Sequence, residues 1–331
     1  MRARLGLLCA VLAVSACHSI TEYETGGEGQ VAMIDISELS VESTMGGLEG
    51  ARSLCSIDYD EFLVASSSGR LYRVNSETMS VDTSYRVGSS GLGGGYRRMS
   101  RVPGGRRVYL IDAGGKILDI NLYGNEVVDQ FEVGPAPADM CSSVSGLMRV
   151  YVVDGSDDKV REIDTEDNRL VRERELRYRP VGIAGFDGGH DYLGIVSSES
   201  SGSYEMFDTQ DMYGCRIYTG SPCEEVAILP DSLLSCVIQP HWGSPAGTAL
   251  MASGYFPLIE ATLEMPGNPT CVCVHPEGKY FFVACASDGG TVVAVIDPLT
   301  LDVIKGIAVD GYPWDVTTHR SGQYLLVLTD L

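Results

Sequence analysis

From about residue 29 onward, apolar and polar positions follow one another in short runs broken by turn-forming clusters. Runs such as "RRVYLIDA", "MRVYVVDG" and "KYFFVACA" are rich in β-branched and aromatic residues and are bounded by Gly, Asn, Asp or Pro. That pattern predicts strands. No useful stretch after residue 20 keeps the 3.6-residue period of an amphipathic helix. The expected class is all-β.

The runs repeat. Pro137, Pro180, Pro222, Pro269 and Pro313 stand 43, 42, 47 and 44 residues apart. Within each interval an apolar run leads through a Gly-containing turn into a β-rich run. A third run then ends in an acid or amide, as in "LYRVN", "ILDIN", "VREID", "SYEMFD" and "VVAVID", and a fourth closes the unit, as in "EVVDQFEVG" and "DVIKGIAVD". Four short strands per repeat of this length describe one propeller blade. Units fall at 50–90, 95–137, 138–180, 181–222, 223–269 and 270–313. A further unit is split: "WDVTTHRSGQYLLVLTD" supplies two strands, and "QVAMIDIS" with "VESTMGG" (29–47) supplies the others. The prediction is a single seven-bladed β-propeller of four-stranded blades over 29–331, its last blade closed by the N-terminal strands. Closure leaves no free sheet edge at the axis.

The units resemble the YVTN-type β-propeller repeats of bacterial exported proteins, most clearly in "NPTCVCVHPEGKYFFVACASDGGTVVAVIDPLTLDVIKGIAVDGYP" (268–313) and "RVYVVDGSDDKVREIDTEDNRLV" (149–171). The resemblance implies the fold over nearly all of 29–331. It leaves function open, since such propellers include binding modules, surface-layer proteins and relatives of lactonase and haem d1-type enzyme domains.

The start of the chain, "MRARLGLLCAVLAVSAC", has a positive n-region (Arg2, Arg4), a short apolar core and small residues before Cys17. This is a secretory signal pattern, and "VSAC" resembles a bacterial lipobox. Residues 1–16 are then a lipoprotein signal peptide, Cys17 the lipid-attachment residue, and 17–28 an anchor and linker. The expected location is extracytoplasmic and membrane-anchored, with His18 after the cysteine favouring the outer membrane or cell surface. No later apolar run is long enough to span a bilayer. The net charge of −21 argues against nucleic acid as a partner and against charge-driven docking to anionic lipid.

Several motifs invite chemistry. "CVCVH" places Cys271, Cys273 and His275 on one strand face, a donor set suited to zinc. The repeat frame gives a different account. Four residues past each blade start stand Cys55, Ser100, Cys141, Ala184, Val226, Cys273 and Thr317, all of modest size, as strands converging on an axis require. The thiols are then small core residues, and no resident metal is expected. Cys215 and Cys223 bracket an inter-blade loop, and as an exported pair are a candidate disulfide. "GLGGG" (91–95) lacks the following helix of a nucleotide site and reads as a linker. "DGSDDK" (154–159) lacks EF-hand spacing and reads as a solvated turn. "RLVRERELRYR" (169–179) reads as a solvated outer strand. No C-x-x-C-H haem motif and no catalytic triad can be assembled, so no cofactor is implied.

One and two residues past the blade starts stand Arg52, Arg97, Arg98, Asp139, Glu224, Trp314 and Asp315. These are the candidate funnel mouth, where clustered arginines suit a carboxylate or phosphate. His241 and Trp242, in the longest insertion, form a candidate recognition loop. The function expected is a monomeric, lipid-anchored envelope propeller that binds a protein, peptide or glycan. The alternative is a propeller enzyme of lactonase or dehydrogenase type using the same funnel.

Overall fold

The computed structural model describes residues 28–87, 99–102, 106–112, 114–143, 147–187, 191–210, 214–230, 232–241, 243–254 and 258–331. Among them every regular element is a strand, and the strands form seven four-stranded antiparallel sheets. The innermost strands are Ala51–Ser56, Met99–Arg101, Pro137–Ser142, Pro180–Asp187, Glu225–Ile228, Asn268–Val274 and Tyr312–Thr318, of blades 1 to 7 in that order. Each touches the next, and blade 7 touches blade 1, so the ring is closed.

Blade 7 is assembled from both ends of the chain. Strand Glu28–Asp35 pairs with Tyr324–Asp330, placing Ala32 opposite Val327, and with Ser40–Glu49 on its other side. The last blade is therefore closed by the N-terminal strands.

The acid or amide that ends the third strand in every blade but the fifth, where Ser253 stands, has a physical role. Asp35, Asn75, Asn121, Asp164, Asp208 and Asp297 accept backbone N–H groups of the following turn, for example Ser37 N at 2.7 Å and Leu299 N at 2.8 Å. Such side chains mimic a backbone turn. Four residues on, the chain passes through the left-handed region at Leu39, Met79, Asn125, Asn168 and Leu301, and the fourth strand begins. That strand then carries a one-residue bulge at Glu42, Asp82, Val128, Val171, Glu260 and Ile304. Bulged, twisted outer edges resist pairing with a second molecule.

The core lies between blades rather than within them. Adjacent sheets face each other, and each apolar cluster draws on two neighbours. Phe282, Val293 and Val295 of blade 6 pack against Ile34, Leu325 and Val327 of blade 7.

Candidate functional site

The two ends of the axis differ because of one backbone irregularity. In blades 1, 3, 4, 6 and 7 the inner strand expels one residue near its start from the pairing: Arg52, Ala138, Val181, Thr270 and Trp314. A bulge re-aims its side chain. At the seam of blades 7 and 1 this brings two predicted mouth residues together. The Arg52 guanidinium lies over the Trp314 ring, 3.9 Å from its centroid. Tyr312 meets Trp314 edge-on at 5.6 Å, and Arg52 Nη1 donates to Ala51 O at 2.9 Å. Burial holds the Arg52 guanidinium below its ordinary value, opposed by Asp330.

One position further in, the side chain turns between blades. Asp139 Oδ2 accepts Ile183 N of blade 4 at 2.9 Å. Asp315 Oδ2 accepts Leu54 N of blade 1 at 2.7 Å and the Ser53 hydroxyl at 3.1 Å. Glu225 Oε2 accepts Val272 N of blade 6 at 2.6 Å. All three carboxylates are buried. They clasp blade 3 to 4, 5 to 6, and 7 to 1. The intervening blades hold Gly182, Cys271 and Ser53 at this position, so no two described acids stand on adjacent blades, where like charges would repel. In blade 5 the clasp is Glu225 rather than its neighbour Glu224, whose N–H pairs with Ile238 O at 3.1 Å. Arg97 and Arg98 lie outside the described residues, as do Cys17, Trp242 and the 91–95 stretch.

The inner strands end around an axial cavity of about 410 Å³. Its wall includes the small residues Cys55, Ser100, Cys141, Ala184, Cys273 and Thr317, all four places past a blade start. Blade 5 again slips by one and presents Ala227 instead of Val226. Burial pushes the Cys55 thiol up to about 12, so it is neutral at physiological pH. Two residues that the sequence reading passed over, Arg101 and Arg320, line this cavity at the strand-end side. Arg101 sits one place beyond the small-residue ring, and that register was its available signal.

The remaining candidates are dispersed. Cys271 and Cys273 are buried in the blade 6/7 core. His275 Nε2 donates to Gly322 O at 2.9 Å and Nδ1 accepts Glu277 N at 3.0 Å, which occupies both ring nitrogens. Cys215 and Cys223 are separate thiols, Cys215 Sγ lying 3.4 Å from Gly254 O and Cys223 Sγ 3.1 Å from Thr219 Oγ1. His241 N donates to Asn268 Oδ1 at 2.9 Å, which ties the insertion to blade 6. In the 154–159 turn, Asp154 accepts Ser156 N and Ala136 N, and Asp157 pairs with Arg161. The outer strand 169–175 is largely exposed, as expected, but two of its arginines turn back to blade 4. Arg172 reaches the Thr209 and Gln210 carbonyls of blade 4, and Arg174 binds Glu205 at 2.6 Å.

No protein-family model and no curated protein matches the chain. Among solved structures it is similar to a chain of Kuenenia stuttgartiensis hydrazine synthase, with a TM-score of 0.68 and 15% identity over 85% of this chain and 96% of that one. It is also similar to U3-55K, with a TM-score of 0.70 and 10% identity over 85% and 95% of the two chains. At these identities the likeness is one of fold.

Proposed function

We infer that this chain is an exported, lipid-anchored binding propeller of the cell envelope, presenting the strand-start face of its ring to a protein, peptide or glycan. The lipobox-like ending at Cys17 supports the anchor. The observation that carries the binding reading is the Arg52–Trp314–Tyr312 stack beside the axis. Arginine and large aromatic side chains dominate the energetics of recognition surfaces, and a tryptophan face serves sugars and apolar side chains alike.

Two measurements test this reading. Cys17→Ser should release the protein from the membrane fraction, and continued membrane association overturns the anchor. The immobilised protein, its Trp314→Ala variant and its Arg320→Gln variant are then compared on solubilised envelope, with circular dichroism as the fold control. A partner held by the first and third but lost by the second supports the reading. Identical capture by all three overturns it.

A further inference from the structure

The strand-end side of the axial cavity is cationic in a protein of net charge −21. Arg101 and Arg320 converge there from blades 2 and 7. Nε of Arg101 is buried without a hydrogen-bond partner, and its guanidinium has no ion pair among the described residues. Burial, and then repulsion from Arg320, hold Arg101 below the ordinary arginine value. Arg320 has Asp58 only at 3.8 Å and lies over the Tyr59 ring. The neighbouring serine hydroxyls already have partners: Ser100 with Ser142 at 2.7 Å, and Ser56 with Arg320 N at 2.9 Å. The hydroxyl of Thr317, also on the cavity wall, has none among the described residues.

Two cations lining one open-mouthed cavity repel each other, and a buried donor left without an acceptor is costly. An anion between them removes both penalties. A guanidinium fork matches the geometry of a carboxylate or phosphate. The cavity is of a size that suits a small molecule. Beyond the arginines and a few hydroxyls its wall is mostly apolar or small, with Leu54, Met140, Ile183 and Ala227, and the carboxylate on it, Asp315, is already engaged by Leu54 N and the Ser53 hydroxyl. We propose that the strand-end side of the axial cavity binds a compact organic anion, its carboxylate or phosphate between Arg101 and Arg320 and its uncharged body in the small-residue section of the channel. This site is at the opposite end of the axis from the Arg52–Trp314 stack and does not rest on the reading given to that face.

The test is thermal denaturation of the full chain with inorganic phosphate, glucose 6-phosphate or succinate, against glucose, at constant ionic strength. At least one anion should raise the midpoint saturably and glucose should not. A response to phosphates alone or to succinate alone identifies the headgroup. Arg101→Gln and Arg320→Gln should each weaken the apparent affinity at least tenfold, and Arg52→Gln should leave it unchanged. No saturable response to any of the three anions overturns the proposal, as does a response that both cavity variants retain. A second readout needs no ligand. Arg101→Gln removes an unpaired, repelled charge, so its midpoint without added anion should equal or exceed that of the parent. A lower midpoint would make Arg101 a structural residue and overturn the site.

Discussion

Blades 3 and 4 add a layer of charged and hydrogen-bonded side chains to their apolar cluster, whereas blades 6 and 7 meet across an apolar seam. Glu162 of blade 3 is held by Arg149 at 3.1 Å and by Arg172, which continues to carbonyls of blade 4. Tyr151 donates to Asp191 at 2.9 Å and Arg174 lies over Phe207. At the corresponding places before the third-strand aspartate, blade 6 has Ala294 and Val295 where blade 3 has Arg161 and Glu162. There the contacts with blade 7 are Phe282, Val293 and Val295 against Ile34, Leu325 and Val327. The propeller requires only that facing sheets be complementary. An apolar seam gains from every buried methylene. A charged seam gains little on balance but is costly to half-remove.

The largest effect should come from opening the ring. Deleting 29–47 takes the two outer strands from blade 7 and exposes the edge at Tyr324–Asp330. Loss of a single cooperative thermal transition is expected, and an unchanged transition would refute interdependent seams. Next, Phe282→Ala in the apolar seam should cost about 3–5 kcal/mol in denaturant unfolding. Glu162→Ala in the charged seam should cost about 2 kcal/mol, because Arg149 and Arg172 both lose its carboxylate, though Arg172 keeps the blade 4 carbonyls. Pairing Glu162→Val with Arg172→Leu should recover most of that loss, and failure to recover would mean that the charges themselves are required.

The two regions should also respond to different pH windows. Burial holds His275, on the blade 6/7 seam, below the ordinary histidine value, only partly offset by its bond to Gly322 and by nearby Glu277 against Lys279. The unfolded chain therefore takes up the proton first, and stability at that seam falls as pH drops below about 6.5. For Asp154, in blade 3, burial acts to raise the carboxyl, but hydrogen bonds from Ser156 and Ala136 outweigh it, and the net shift is downward. Its contribution is present above about pH 4 and is lost as pH falls through its lowered native value. Hydrogen exchange at about pH 5 should show the blade 6/7 strands loosened before those of blades 3 and 4. The smallest effect belongs to the exposed Lys279–Glu277 pair at 2.7 Å: Glu277→Gln should leave the melting midpoint unmoved.

Blade number, split closure and the small-residue ring were legible in the sequence because period, strand pattern and axis geometry all act on local composition. The site was less so. Arg52 and Asp139 stand in almost the same register, yet a bulge sends one onto the face and the other between blades, and nothing in the local residues announces which side chain is expelled. Pro222 marks its blade start one residue early, so Glu225 and Ala227 take the places that a proline count gives to Glu224 and Val226. Arg101 and Arg320 meet only when blades 2 and 7 are both in the ring, a juxtaposition that no local pattern encodes.

The pairing of Ala32 with Val327 has a kinetic consequence. It joins residues separated by nearly the whole chain, so it closes a very long loop whose entropy must be lost before the contacts form. Contacts of such high order form slowly. Until the final strand arrives, Glu28–Asp35 and its partner face of blade 1 wait with apolar surface uncovered, and that interval is when a chain is most prone to associate wrongly. Refolding should accordingly show a late, rate-limiting phase that speeds up when the two termini are joined by a short linker in a circularly permuted chain.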